Sequence, residues 1–226
     1  MKHNKNQSGH AGVVVVAVIV SLVIGYAGAR LADNNKIKAA QNPTSTTSAA
    51  DLRANLVTLG VEHMSLTDQA VDAALDGSPN AASTGAALYA NGNDIGKAVG
   101  SVYGTSAQTT FDAVWKLHLD QFVNYAVADS KGDAAGKTTA LNAIQTGYTV
   151  PLAQYLAKAN PNLPEGALQT DLSDHVAMTA QMIDDHVQGK YADEAAELTQ
   201  ANQHIEGIFS TLAGAIVKQY PSKFGN

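Results

Sequence analysis

Three stretches of the chain share one pattern of apolar and polar positions. Each centres on a histidine (His63, His118 or His175), with Leu56, Phe111 or Leu168 seven places before it and Ala70, Tyr125 or Met182 seven places after it. Seven residues make about two turns of an α-helix, so these positions share one inward stripe. The pattern predicts three amphipathic helices with the histidine on the buried side. Fourteen residues beyond each histidine stands a glycine, Gly77, Gly132 or Gly189, where a helix end wants a left-handed cap. A second helical segment follows each glycine, over Ala81–Tyr103, Ala134–Ala159 and Tyr191–Tyr220. Their ends are marked by Tyr103-Gly104, by Asn160-Pro161-Asn162-Leu163-Pro164 and by Tyr220-Pro221, and Pro151 predicts a kink within the middle one. The expected fold is all-α, a bundle of six helices paired as three antiparallel hairpins over 51–104, 105–164 and 165–226.

The N-terminal pattern is different. Met1 to His10 carries Lys2 and Lys5 without an acid, and Ala11 to Ala29 is uncharged and includes VVVVAVIV. A basic segment followed by an apolar one reads as an export signal, and Ala27-Gly28-Ala29 offers the small residues a signal peptidase needs, making Arg30 the first mature residue. The same stretch, residues 11–29, is just long enough to span a bilayer as an uncleaved anchor. Both readings place the remainder outside the cytoplasmic membrane, because the lysines precede the apolar run. Residues 30–50 turn to Asn, Gln, Ser, Thr and Ala, with too little apolar surface to offset the entropy of ordering, and read as a flexible stalk. The helical domain is expected to start at residue 51.

Composition narrows the chemistry. The 226 residues contain no cysteine, which removes disulfides, thiolate metal sites and cysteine nucleophiles. From residue 51 onward there are 19 acids against nine Lys and Arg, so nucleic acid is not an expected partner. A protein or cell-wall partner for the acidic faces remains open.

Helical bundles build metal sites from inward His, Glu and Asp on facing helices. The candidate ligands are His63, His118, His175 and, on the last helix, His204. Glu62 is the expected carboxylate, chosen from Glu62, Asp120, Asp171, Asp174, Asp184 and Glu206. Sulfur-free ligands of this kind suit copper(II), zinc or iron, or an axial pair on haem. On an ordinary imidazole pKa of about 6.5, binding should fall below that pH. His186, one turn before Gly189, lies off the shared register. The competing reading makes each histidine a core residue hydrogen-bonded to Gln69, Asn124 or Gln181, six places on.

Two look-alikes fail. Gly132-Asp133-Ala134-Ala135-Gly136-Lys137-Thr138 has three residues between its glycines where a phosphate loop has four. Asp129 to Asp133 opens like a calcium loop, but Lys131 takes a ligand position and Ala140 replaces the bidentate Glu. The expected function is a non-enzymatic extracytoplasmic domain binding a metal ion or metal cofactor; the alternative is a cell-surface interaction or assembly module with structural histidines.

Leu59-Gly60-Val61-Glu62-His63, Ala74-Leu75-Asp76-Gly77, Ser101-Val102-Tyr103-Gly104, Trp115-Lys116-Leu117-His118, Phe122-Val123-Asn124-Tyr125, Ala159-Asn160-Pro161-Asn162-Leu163-Pro164 and Ala215-Ile216-Val217-Lys218-Gln219-Tyr220-Pro221 together resemble a group of secreted, all-helical proteins of Gram-positive bacteria. Some of these are attached to copper amine oxidase N-terminal-like domains. The resemblance runs from about Leu52 to Phe224. It implies a helical fold and an extracellular location, and it names no reaction.

Overall fold

The computed structural model describes residues 48–224, and these are helical with no strand among them. The segment read as signal or anchor, and the stalk up to residue 47, lie outside the described residues. Helix α1 spans Ser48–Leu75 and so begins three residues inside the segment read as stalk. It is followed by α2 (Ala81–Tyr103), α3 (Thr105–Asp129), α4 (Ala134–Ile144), a π-helical turn (Gln145–Thr149) and α5 (Val150–Ala159). Then come α6 (Glu165–Val187), α7 (Tyr191–Gln219) and a single turn, α8 (Pro221–Phe224). No helix of the described residues is long and apolar enough to cross a membrane.

The three glycines at the repeated position end α1, α3 and α6 in the same way. Their φ angles are +67°, +68° and +71°. In each case the next residue's N–H bonds the carbonyl five places back: Ser78 to Ala73, Asp133 to Ala128 and Lys190 to Asp185, at 2.8–2.9 Å. This satisfies carbonyls that a helix end would otherwise leave bare, and only glycine enters the left-handed region at little cost. The phosphate-loop look-alike has a plain structural role, because Asp133 caps α4 by accepting the Gly136 N–H at 2.9 Å.

Where a kink was expected, the backbone widens instead. Pro151 has no N–H to give to the carbonyl four residues back, and its ring crowds that carbonyl. The chain adjusts upstream, and the Val150 N–H reaches Gln145 O, five residues back. The segment read as one helix over 134–159 is therefore α4, the π turn and α5. The π turn buries Tyr148 completely, and Tyr148 faces the centre of the bundle.

Helix α1 packs along both α2 and α7, α3 packs on α2 and α4, and α6 packs on α5 and α7. The core contains Leu56, Met64, Ile95, Phe111, Trp115, Ile144, Met182, Ile183 and Phe209, all nearly inaccessible. The α1–α7 contact is close at Gly60, where an added Cβ would stand 2.5 Å from Phe209 Cδ2. Gly60→Ala is therefore expected to destabilise the domain by about 1–3 kcal/mol through overpacking, outweighing the better helix propensity of alanine. Urea unfolding followed by circular dichroism measures it.

Candidate metal centre

The helices that carry the repeated histidines, α1, α3 and α6, all touch one another at the middle of the bundle. Leu56, Phe111 and Leu168, two turns before the three histidines, are all buried, so each helix turns its histidine inward. His63, His118 and His175 are at most 2% exposed. The ring centroids of His118 and His175 lie 5.7 and 6.0 Å from that of His63. One nitrogen from each ring can be chosen so that all three lie within 4.8 Å of one another. Atoms so spaced share a centre within about 2.8 Å, and a zinc–imidazole bond is about 2.0–2.1 Å. Side-chain shifts of less than about 1 Å would close the difference, so the three rings could hold a metal ion.

Their hydrogen bonding is incomplete. His63 Nδ1, and both ring nitrogens of His118 and of His175, are buried with no hydrogen-bond partner among the described residues. Buried polar groups in folded proteins nearly always have a partner. The amides that would supply one under the structural reading point elsewhere. Gln69, Asn124 and Gln181 are exposed; Gln69 donates to Ser65 O and Asn124 to Gln121 Oε1. The Trp115 backbone lies near His118 and slightly favours its charged form, yet makes no well-aligned bond to either nitrogen.

Burial sets the protonation state. It lowers the pKa of His63 to about 3, helped by the nearby His175, and that of His175 to about 4, helped by His204. Burial, with His63 and His175 adding to it, also holds His118 well below the ordinary imidazole value. Three neutral imidazoles offer lone pairs without first losing protons, as metal binding requires.

The remaining expected ligands are not brought to this point. His204 is hydrogen-bonded through Nε2 to the Asp171 carbonyl at 2.8 Å and is not one of the three-histidine group, though near enough to His175 to lower its pKa. Glu62 is exposed and accepts from Asn91 Nδ2 at 3.2 Å. One helical residue turns about 100°, so the neighbour of an inward histidine faces away. Asp120 binds Tyr89 and Lys116, and Asp184 binds Tyr125 and Lys137. Among the described residues no carboxylate belongs to the three-histidine group.

Aromatic rings hold the imidazoles in place instead. Trp115 lies 4.9 Å from His63 and 4.6 Å from His118, and Tyr148 of the π turn stacks on His118 at 4.2 Å. Thr67 and Thr179, four residues after His63 and His175, donate to those histidines' carbonyls. All three imidazoles border a partly enclosed cavity of about 60 Å³, whose other walls are mostly apolar, including Leu88, Leu119, Phe122 and Val71.

A second group lies at one end of the bundle, where Asp72, His186 and Glu194 also bring ligand atoms within 4.8 Å of one another. Sequence periodicity missed it because its members do not share the repeated register that linked the three histidines. The signal available was acids at four-residue spacing, Asp68, Asp72 and Asp76. Compared with family models, curated proteins and solved structures, the chain matches none, so the functional reading rests on these residues and their geometry.

Proposed function

We propose that the domain is an extracytoplasmic, non-enzymatic metal-binding module that holds copper(II), zinc or iron through His63, His118 and His175. One observation carries the reading: three neutral imidazoles converge in an apolar core with five ring nitrogens left without partners. Such nitrogens cost stability unless something binds them, and a metal ion would take up one nitrogen of each ring at once. Three histidines leave a fourth coordination position. The cavity beside them gives room for water or a small ligand there. The extracytoplasmic location follows from the basic and apolar segments of residues 1–29, and the pairing of helices into three hairpins follows from the repeated His-to-Gly spacing.

Zinc titration of the full chain, prepared without a histidine tag, tests the proposal. The lowered pKa values of His63 and His175 shift the acid limit from the expected value near 6.5. Protons compete with metal only once they bind the folded apo-protein. Affinity should therefore be nearly the same at pH 7.5 and pH 5.5 and collapse near pH 4. Copper(II) at the site should also quench the fluorescence of the single tryptophan, whose ring packs on two of the ligands. His186→Ala should leave this site intact. Absence of binding at micromolar metal, or no loss of binding in His118→Leu, would mean the histidines are core residues only.

A further inference from the structure

The far end of α1 carries an excess of negative charge. Asp68, Asp72 and Asp76 succeed one another at four-residue spacing, an arrangement in which like charges repel. They also crowd the negative end of the α1 dipole, where acids are disfavoured. The C-terminal turn of α6 brings a second negative dipole end, with His186, to the same place. Glu194 enters from the first turn of α7 and is only 5% exposed. The nearest lysine of that turn, Lys190, is directed to Asp185 at 3.8 Å. One imidazole thus faces the carboxylates of Asp72, Asp76 and Glu194, with Asp68 close behind.

The distances around His186 have the form of a ligand set. Nδ1 lies 3.0 and 3.2 Å from the two Glu194 oxygens and 3.0 Å from Asp72 Oδ1. Donors at about 2.1 Å from one ion stand about 3.0 Å apart at right angles and about 3.4 Å apart in a tetrahedron. A single N–H on Nδ1 serves one carboxylate, and Asp72 Oδ1, the inner oxygen of a side chain 36% exposed, has no hydrogen bond among the described residues. On the other side of the ring, Nε2 is 3.3 Å from Asp76 Oδ1. A carboxylate on the far nitrogen is the usual way of fixing a metal-binding imidazole. With Nε2–H turned to Asp76, the Nδ1 lone pair faces Asp72 and Glu194, and a cation held among the three would relieve the repulsion. Burial opposes charging of His186, but Asp72, Glu194 and Asp76 outweigh it and raise its pKa. Burial and the Glu194 carboxylate raise that of Asp72 to about 7.

We propose that Asp72, His186 and Glu194 form a second site, for a divalent metal ion that accepts both imidazole nitrogen and carboxylate oxygen, with Asp76 positioning the imidazole. It is harder in character than the three-histidine centre, because two of its three ligands are carboxylates. The two sites are independent in their residues.

Manganese(II), which favours carboxylate, is the probe, and the paramagnetic signal of the free ion is the readout. The full chain should bind one manganese(II) ion at this site. Glu194→Gln and Asp72→Asn, which keep side-chain shape, should each weaken binding by about 10-fold or more. His118→Leu should leave it unchanged, which separates this site from the three-histidine centre. Should Glu194→Gln not fold, Asp76→Asn decides, at a side chain 61% exposed. Binding weakened by about 10-fold supports the site, and unchanged binding overturns it. An undiminished free-ion signal with the parent chain at millimolar manganese, or loss of binding in His118→Leu alone, also overturns it.

Discussion

Replacing His118 by leucine should leave the metal-free protein as stable as the parent, or more stable by about 1–3 kcal/mol, the usual cost of an unmet buried polar group. Both ring nitrogens of His118 are buried without a partner, and leucine fills a similar volume with nothing left unbonded. Zinc affinity should nevertheless fall by more than about 100-fold, because loss of an outer-shell partner alone costs about 10–100-fold. The two effects have opposite signs. A histidine kept only for packing would show a loss of stability, whereas one kept for a ligand shows a gain in the apo form. In parallel, zinc at 100 times the dissociation constant of the three-histidine site should stabilise the parent by about 2.7 kcal/mol more than the variant, which lacks that site. Urea unfolding with and without metal reads both.

The same substitution carries a pH signature. In the unfolded chain His118 takes up a proton near pH 6.5, but in the folded protein burial holds its pKa well below that. The unfolded state then binds more protons, so stability falls as the pH drops below about 6.5. Each such histidine contributes up to about 1.4 kcal/mol per pH unit. His118→Leu removes one of these contributions, and its advantage over the parent should grow steadily between pH 6.5 and pH 5. The raised pKa values of Asp68 and Asp72 act in the opposite direction in both proteins and cancel from the comparison.

Trp115→Ala should destabilise the domain by about 3–5 kcal/mol, the range for removing a large buried aromatic side chain. Trp115 is 5% exposed and stacks on Phe111 at 5.0 Å, besides touching His63, His118 and Tyr148. Gly92 offers no compensation: its backbone already closes on the indole, with a hypothetical Cβ only 2.8 Å away. The loss should extend to function. His63 and His118 would lose the ring that fixes their orientation, and zinc affinity should drop although every ligand is present. Because this is the only tryptophan, unfolding must be followed by circular dichroism rather than fluorescence. A cost near zero would show that the indole is not the wall on which the site is built.

How far the chain can be read depends on the range of the forces involved. That His63, His118 and His175 face inward, and that Gly77, Gly132 and Gly189 end their helices, follows from 3.6-residue periodicity and from the unique access of glycine to positive φ. Both are local properties, and they are written in residues at most fourteen apart. Phe111, Trp115, Phe122 and Tyr125 recur at the same helical spacing, and all four are buried. Periodicity says which side of a helix is inside. It does not say what that side meets. His204 is half-buried on α7, and it satisfies the Asp171 carbonyl of α6 instead of joining the three rings. Glu62, the expected carboxylate, is turned outward by the helix itself. Pro151 announced a disturbance, but only packing settled that it would be taken up by a π turn that sets Tyr148 against His118. His186 was set aside because it breaks the register of the other three, and it meets Asp76 across 110 residues of chain. The phase of each helix about its own axis is local and was readable. The rotation and depth of one helix against another are fixed by the packing of side chains from distant segments, and that decided which histidines share a centre.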